Sequence, residues 1–350
     1  MGGPNGWELF EQQDATAANA GIQLRAVNSD VVAGIGAGVE LSGLATLDLE
    51  KDVVGSPMQL PSGTWGDPEL TGGWISQAYL TYGFGNTSIK VGRQELPKSL
   101  SPFAFSEDWN VWANTYDAAL LVNTDLPDTT AVLAYVRRAN LNFLYALAPM
   151  FAPGPDAVAM NHFNSLNGSE GVWMLTLQNK SIENVTLTGS YYDFNGDYLM
   201  WADAQITAGA YSIGLQGGKV EGYVKAIGAK VATSFDGIDV ALAYSNTSNG
   251  SMFNVGGTTS ALYTCTVGNQ LIGSAEDEDK LVFTAATEAW GGNISAALAT
   301  IDYNGGDYDE LDLVYSTNIT DSFNLTAAYV YMDGAGDSLD VIRLVGTYNF

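Results

Sequence analysis

The strongest constraint on the fold is an alternation of apolar and polar residues with a period of two. The alternation runs along most of the chain and is clearest in 35–49, 185–192, 238–245 and 323–331. Successive side chains of a β-strand point to opposite faces, whereas an amphipathic helix repeats about every 3.6 residues. The pattern therefore predicts an all-β protein with many strands, and no segment of comparable strength indicates an amphipathic helix.

Alternation alone also fits a soluble β-sandwich or a β-helix, so the connections and the aromatic residues decide the class. Short turns alternate with connections that are long (50–71, 96–114, 139–169 and 247–277) or brief and acidic. Aromatic residues recur near the predicted strand ends, at Tyr82, Tyr116, Trp173, Tyr191, Tyr244, Trp290, Tyr315, Tyr329 and Tyr348. Bacterial outer-membrane barrels sort their loops in this way and have aromatic girdles at both membrane interfaces. We therefore predict a closed antiparallel transmembrane β-barrel that forms a single domain over 1–350.

The number of strands follows from parity. The alternating segments number about seventeen, whereas closed single-chain bacterial barrels have an even number of strands. The segment at 16–28 begins at the long-loop end, so a further strand has to precede it. Residues 1–12 alternate poorly. We expect about eighteen strands, within a range of roughly 16–18, with a first strand that is degenerate or incomplete.

Composition excludes several classes of function. The chain has 350 residues, with 13 Lys+Arg against 39 Asp+Glu and a formal net charge of −26. So acidic a chain is a poor partner for nucleic acid, while 46% hydrophobic residues argue against disorder. Cys265 and His162 are single residues of their kinds, so we expect no disulfide, no metal centre, no catalytic residue and no enzyme. Neither a transmembrane helix nor a signal peptide is apparent, and we expect a processed or truncated start.

The chain ends in VIRLVGTYNF, which has the pattern of a final strand. Its apolar row is Ile342, Leu344, Gly346, Tyr348 and Phe350. A terminal Phe on such a row resembles the carboxy-terminal signal by which outer-membrane barrels are recognised and inserted. The resemblance predicts Tyr348 and Phe350 as the insertion signal, with the barrel-assembly machinery, outer-membrane lipid and lipopolysaccharide as partners. An ordinary last strand of a soluble sheet is the alternative.

Two stretches resemble hairpins of OprD-like porins and of the major outer-membrane porins of epsilon-class bacteria. The first is WISQAYLTYGFGNTSIKVGRQEL, which begins at Trp74 and contains Leu80-Thr81-Tyr82 and Gly92-Arg93-Gln94. The second is YDAALLVNTDLPDTTAVLAYV, residues 116–136. The resemblance implies a barrel of about eighteen strands, usually trimeric, that passes small solutes.

The resemblance also implies that the third long-side loop folds into the barrel and narrows it. Here that loop is 96–114, LPKSLSPFAFSEDWNVWAN. It contains the charged residues Lys98, Glu107 and Asp108, and its aromatic residues would form an exposed apolar patch if the loop lay in water. Those aromatic residues are Phe103, Phe105, Trp109 and Trp112. We therefore predict that 96–114 constricts the pore.

Strand parity places basic residues opposite this loop. Arg25, Lys90 and Arg343 alternate with apolar neighbours and should face the lumen, since a charge on the lipid face at mid-depth costs roughly 2–4 kcal/mol. Arg93 has lipid-side parity, although a bulge near the loop could turn it inward. With the three loop charges, these residues form the predicted constriction, and charge rings select ions. A wet lumen without a filter role is the alternative.

The leading interpretation is a passive outer-membrane porin for small hydrophilic solutes, mildly cation-selective because of the net charge. A surface adhesin or structural barrel protein is the alternative. We expect a homotrimer in which loop 50–71 contacts a neighbouring subunit through Met58, Leu60 and Trp65. The acidic stretches 276–279, 307–310 and 333–340 predict a solvated rim, with loosely bound Ca²⁺ as the only cofactor considered.

Overall fold

Over the residues that the structure describes, the fold is one antiparallel β-sheet of eighteen strands with very little helix. This computed structural model describes residues 15–62, 70–145, 155–194, 196–334 and 337–350. Within those ranges, no helix combines the length and the apolar character that crossing a membrane requires. The all-β, antiparallel architecture predicted from the sequence is confirmed, and the described residues contain eighteen strands, of which seventeen are long and one, at Asn164–Ser165, has two residues.

The strands have the following bounds. They are β1 (Ala20–Val32), β2 (Ile35–Ala45), β3 (Thr71–Phe84), β4 (Thr87–Gln94), β5 (Tyr116–Asn123), β6 (Thr129–Ala139), β7 (Asn164–Ser165), β8 (Val172–Asn179), β9 (Val185–Phe194), β10 (Asp197–Ala208), β11 (Tyr211–Val220), β12 (Val224–Phe235), β13 (Ile238–Ser248), β14 (Asp279–Ala289), β15 (Gly292–Tyr303), β16 (Gly306–Thr320), β17 (Phe323–Gly334) and β18 (Asp337–Tyr348). The helical segments are a 3₁₀ turn (Leu49–Lys51), α1 (Pro155–Val158) and α2 (Val267–Ile272).

Each long strand pairs antiparallel with the next long strand along the chain, from β1–β2 to β17–β18. β7 is two residues long and pairs with β6 inside the connection to β8. The sheet is therefore an up-and-down meander, in which sequence neighbours are spatial neighbours. In such a meander, successive connections between long strands lie alternately at the two ends of the sheet.

The connections at one end are short turns. In three of the two-residue turns both residues have positive φ, as a type I′ hairpin requires. These turns are Ala33–Gly34, Asp236–Gly237 and Trp290–Gly291. The first turn lies at 33–34, because β1 extends through Val32.

The opposite end holds all the long connections, 46–70, 95–115, 140–171 and 249–278. The predicted sorting of short turns and long loops to opposite ends is confirmed. β1 and β18 both run from the long-loop end to the short-turn end, so antiparallel closure between them requires one more strand. The strand expected in 1–12 lies outside the described residues, and no pairing joins β1 to β18 among the residues that are described.

The two faces of the sheet differ in chemistry. One face, which we call the exposed face, presents apolar side chains to the surroundings along almost every strand. Among them are Ile22, Leu24, Leu41, Leu80, Val91, Leu133, Leu175, Leu215, Val231, Leu242, Phe283, Leu298, Leu313, Ile342 and Leu344. The other face, which we call the covered face, packs against the long loops and holds most of the buried side chains. Tyr348 and Phe350 lie stacked on the exposed side, with ring centroids 6.4 Å apart.

The largest buried cluster lies on the covered face. It joins side chains of β6, β8, β9, β10 and β12 to residues of the 95–115 and 249–278 loops. Its members are Phe103, Val132, Ala134, Val172, Met174, Tyr192, Leu199, Trp201, Val224, Ala226, Met252 and Leu262. Fully burying one such side chain contributes about 1.5–3 kcal/mol. The loops are therefore packed against the sheet as part of its core.

Two residues differ in position from the sequence prediction. Tyr116 is not part of an aromatic girdle, because it is fully buried on the covered face and its hydroxyl donates to the Phe105 carbonyl at 2.9 Å. Leu60 packs against Val158 and Ala159 of its own chain, so it is not free to anchor a neighbouring subunit. Trp65 lies outside the described residues, and the intersubunit role of 50–71 stays a prediction.

Candidate functional site

The 95–115 loop lies against the covered face and is anchored there by Phe103. The Phe103 ring meets Tyr192 and Trp201 edge to face, with centroids 5.4 Å and 5.8 Å apart. The Phe103 amide also donates to the Tyr192 hydroxyl at 3.3 Å. Edge-to-face aromatic pairs add to the energy of area burial. The aromatic residues of this loop therefore hold it against the wall, as the sequence suggested.

Glu107 is the polar centre of the same loop. Its side chain is buried, and one carboxylate oxygen accepts from Trp109 Nε1 at 2.8 Å and from the Thr258 amide at 3.3 Å. The other oxygen accepts from Asn254 Nδ2 at 2.8 Å and from both the amide and the hydroxyl of Thr259, at 2.9 Å and 2.6 Å. A buried carboxylate requires this degree of pairing. Glu107 therefore joins two loops and does not present a free charge to solvent.

The 249–278 loop is the second layer on the covered face, and its segment around Asn254 pairs with the 95–115 loop. The Val255 amide donates to the Phe103 carbonyl at 2.9 Å. Asn254 accepts from the Phe105 amide and donates to the Phe105 carbonyl, both at 2.9 Å. Lys98 Nζ donates to the Ser260 carbonyl at 2.7 Å. Sequence reasoning recognised 247–277 only as a long loop and missed this role.

The far end of the 249–278 loop is fixed by buried charges on β14 and β16. Lys280 Nζ lies 3.5 Å from a Glu310 oxygen and donates to Thr266 Oγ1 at 2.8 Å. The amides of Val267 and Gly268, at the start of α2, donate to Asp312 and Glu310 at 2.8 Å each. The buried ion pair is weak evidence of net stability, but it fixes the position of α2.

The acidic rim predicted from the sequence is only partly solvated. Asp277, Asp279, Asp307 and Asp309 are exposed, but Glu278 and Glu310 are buried. Strand alternation is the reason that Glu310 is buried, because it occupies the covered row of β16 while Asp307 and Asp309 occupy the exposed row. Among the described residues, no group of three or more His, Cys, Asp or Glu side chains could hold a metal ion. Loosely bound Ca²⁺ stays a prediction.

A group of charged and polar residues on the covered face of β1–β4 forms a further polar site with exposed members. We call Arg25, Glu40, Tyr79, Lys90 and Glu95 the β1–β4 charge cluster. Arg25 Nε lies 4.0 Å from a Glu40 oxygen, and Lys90 Nζ lies 3.9 Å above the Tyr79 ring. Arg25 and Lys90 therefore lie on the face that parity indicated. Glu40 and Glu95 were not among the predicted site residues, although Glu40 stands in the polar row of β2.

Gln77 connects the two carboxylates of the cluster. Its side-chain amide donates to Glu40 at 3.2 Å and to Glu95 at 3.1 Å. Glu95 follows the last residue of β4 and is exposed. Partial desolvation and then the Glu40 charge raise the pKa of Glu95, while Arg25 and Lys90 lower it less. The Glu95 carboxylate therefore takes up a proton at a higher pH than an ordinary glutamate does.

The remaining predicted constriction residues lie in different surroundings. Asp108 is exposed, and its charge also raises the pKa of Glu95, so it lies near the β1–β4 charge cluster. Arg343 lies on the covered face of β18 with its guanidinium 5.5 Å from the Trp109 ring. Lys98 is tied to the Ser260 carbonyl, as described above. The predicted set is therefore spread along the loop and the wall and does not form one ring.

Arg93 corrects the prediction that a bulge turns it toward the lumen. It stands opposite Ala78 and Asp117 and on the other side of β4 from Lys90 and Gln94. Its Nε donates to Asp117 at 2.9 Å, and its guanidinium lies 3.3 Å from the Phe163 ring centroid. The neighbouring bulges lie in β3 and between β5 and β6. These bulges do not change which residues of β4 share a face. Arg93 therefore stays on the row opposite Lys90 and pairs with Asp117 at the long-loop end.

Comparison with known proteins identifies the fold. No family model and no curated protein matches the sequence. Three solved structures that match are OccK9 (OpdG) of Pseudomonas aeruginosa, a BenF-like porin of Pseudomonas fluorescens Pf-5, and the outer membrane protein opdK of Pseudomonas aeruginosa. Their sequence identities are 16%, 9% and 12%, and their TM-scores are 0.75, 0.72 and 0.71. Each alignment covers 94% of this chain, and 90%, 90% and 92% of the respective structures.

The similarity extends over almost the whole length of this chain and of each of the three structures, although few residues are identical. The hairpins at 74–96 and 116–136 resemble the same group of porins at the level of sequence. The resemblance predicted from those hairpins is confirmed at the level of the fold. This chain has the fold of the OprD-like outer-membrane porins.

Proposed function

We propose that the protein is a bacterial outer-membrane porin through which small hydrophilic solutes and ions diffuse passively. The observation that supports this most directly is the contrast between the two faces of one sheet. The exposed face is apolar across nearly every strand, whereas the covered face holds Arg25, Lys90 and the other charges described above. A membrane barrel needs an apolar outer surface and tolerates a polar interior. A soluble β-protein has no reason for so extensive an apolar surface.

The same contrast supports closure of the sheet into a barrel. A spanning sheet in hydrocarbon cannot leave an edge of unpaired backbone groups, because each such group costs several kcal/mol. We propose that the covered face is the lumen and the exposed face meets lipid. Tyr348 and Phe350 then lie at the short-turn membrane interface, where an insertion signal read by the barrel-assembly machinery would be accessible.

We propose that 96–114 narrows the lumen, together with the 249–278 loop to which Glu107 ties it. The narrow region would lie between Asp108 and the β1–β4 charge cluster. Glu40, Glu95 and Asp108 face two cations there, Arg25 and Lys90, while Arg343 lies near Trp109. This balance and the net charge of −26 support a mild preference for cations. The preference should be strongest at low salt, since mouth charges are screened within about 8 Å at physiological ionic strength.

A homotrimer in contact with outer-membrane lipid and lipopolysaccharide is part of the proposal. It rests on the resemblance to porins that are usually trimeric, and the exposed part of 46–70 around Val53 is the segment available for contact. Mass measurement of the detergent-extracted protein tests it, and a mass of one chain would contradict it. The adhesin alternative is not favoured, because the long loops 95–115 and 249–278 pack inward against the covered face.

Liposome swelling tests the diffusion function. Proteoliposomes in isotonic solutions of neutral solutes of graded size should swell fastest with the smallest solute and stop swelling above a size limit. A variant that lacks 98–113 should admit larger solutes, because the proposed narrow segment is gone. Swelling no faster than that of protein-free liposomes would contradict the porin function. An unchanged size limit in the deletion variant would contradict only the constriction.

A further inference from the structure

Two consecutive arginines lie side by side on the exposed face of β6. Arg137 and Arg138 are both exposed, whereas Val136 and Ala139 on either side of them are buried. In a regular strand consecutive side chains point to opposite faces, so one of the two arginines would face the covered side. The register between β5 and β6 shifts at Asp117, which leaves Arg137 as the extra residue of a β-bulge. The bulge therefore directs both guanidinium groups outward, as bulges do where a side chain has to be re-aimed.

The neighbouring strands hold this bulge in place. The Arg137 carbonyl accepts from the Leu166 amide at 2.9 Å. Arg138 Nη2 lies 2.6 Å from one oxygen of Asp117, and Arg93 Nε donates to the other oxygen at 2.9 Å. One carboxylate therefore serves two arginines. Arg137 forms no ion pair with any of the residues that the structure describes.

The surface around the bulge has an excess of positive charge. Arg93, Arg137 and Arg138 are three of the five arginines of the chain. Asp117 supplies one negative charge, and Glu170, whose carbonyl accepts from Tyr135 nearby, supplies a second. Three positive and two negative charges leave a net charge of +1 here, whereas the whole chain has a net charge of −26. Basic residues beside a membrane surface attract anionic lipid head groups.

The position of the two arginines along β6 corresponds to the depth of lipid head groups. Toward the long-loop end, the exposed row of β6 changes from Leu133 to Tyr135 and then to the arginines. The Tyr135 ring lies beside the exposed Trp173 of β8, with ring centroids 5.0 Å apart. Aromatic girdles mark the membrane interface, with the apolar band on one side and head groups on the other. Arg137 and Arg138 therefore lie on the head-group side of the girdle.

We propose that Arg137 and Arg138 bind a phosphate group of lipopolysaccharide in the outer leaflet. The long loops of bacterial barrels are extracellular, and the lipid of that leaflet carries phosphates on its sugar head group. Guanidinium groups bind phosphate through paired, charge-assisted hydrogen bonds. The acyl chains would then lie against Leu133 and Trp173. The proposal rests on the porin function, since this face meets lipid only if the sheet spans the outer membrane.

Native mass spectrometry of the detergent-extracted protein titrated with lipid A tests the site without requiring transport. We expect a discrete species with bound bisphosphorylated lipid A. Arg137→Gln and Arg138→Gln should each weaken this binding about fivefold, and the double variant about twenty-five-fold, as expected for one basic residue at an anionic lipid surface. Lipid A without its phosphates should bind at least about fivefold more weakly for the same reason. Inorganic phosphate at the lipid concentration should not compete, because it lacks acyl chains.

Lys225→Gln is the matched control, because Lys225 is exposed in the same row of β12 as Ile227 and pairs with Ser248 at the long-loop end. It should bind lipid A as the unaltered protein does. Absence of bound lipid A, unchanged binding by the arginine variants, an equal loss in Lys225→Gln, or equal binding of dephosphorylated lipid A would overturn the site. Competition by inorganic phosphate would overturn the lipid as its occupant. Dissociation of an oligomer in the double variant, with lipid binding unchanged, would assign this face to a second copy and also overturn the proposal. Ion conductance of the same preparation separates these outcomes from a failure of the porin function.

Discussion

Replacement of Glu107 by Gln tests whether one buried carboxylate holds the two inward loops together. Gln has the same shape, but its amide nitrogen cannot accept hydrogen bonds. Five donors surround the Glu107 carboxylate, two at one oxygen and three at the other. The favoured orientation of Gln keeps its oxygen at the three-donor side. The Trp109 indole and the Thr258 amide then lose their acceptor.

The size of the effect follows from those two donors. Leaving a buried donor unpaired costs about 1–3 kcal/mol, so two of them cost about 2–6 kcal/mol. The remaining three bonds also lose the added strength of a charged acceptor. Since about 1.4 kcal/mol is a factor of ten, the undocked fraction of the 249–278 loop should rise at least about thirtyfold. The sheet itself should remain folded, because its strand ladders do not involve Glu107.

Single-channel recording and limited proteolysis measure this release. In Glu107→Gln we expect noisier current with frequent partial closures, and faster cleavage within 249–278. Asp108→Asn is the matched control, because it removes the same charge from an exposed neighbour; it should lower cation preference without added noise. Quiet current and unchanged cleavage in Glu107→Gln would refute the role of Glu107 as the link between the loops.

The charge distribution and the loop packing give three more expectations. Because the pKa of Glu95 is raised, acidification should neutralise this carboxylate at a higher pH than an ordinary glutamate and so reduce the preference for cations. Reversal potentials measured between pH 8 and 4 should show this decrease in the unaltered protein and not in Glu95→Gln. Arg343→Ala removes a cation from the covered face and should increase the proposed cation preference at low salt. An unchanged reversal potential would place Arg343 outside the proposed ion path. Leu60→Ala should loosen the docking of its loop by about 2–5 kcal/mol and leave the oligomer mass unchanged, so dissociation of the oligomer would show that Leu60 acts between subunits.

Strand parity accounts for what the sequence predicts well. It gave the all-β class, the two faces, and the orientation of Arg25, Lys90 and Arg343 on the covered face. It also places Glu310 and Asp309 on opposite faces of β16. That distinction is lost when the acidic stretch is considered as a whole. These features depend on residues one or two positions apart, and local alternation records them directly.

Contacts between distant parts of the chain were beyond sequence reasoning. Glu107 finds its donors about 150 residues away, at Asn254 and Thr259, with separations of 147 and 152. No local pattern in a Gly/Ser/Thr-rich loop indicates that it packs inward. Arg93 shows a related difficulty, because its pairing with Asp117 depends on the positions of bulges in neighbouring strands. A bulge is set by cross-strand contacts and leaves little trace in either strand alone.

Single-channel conductance in planar lipid bilayers tests the central claim most directly, namely that the covered face lines a water-filled path across the membrane. Purified protein added to one side should produce discrete, reproducible current steps that are proportional to voltage and increase with salt concentration. Glu95→Gln should change the reversal potential in a salt gradient while the steps persist. Bilayers that remain silent, although the protein has inserted in its folded form, would contradict the claim.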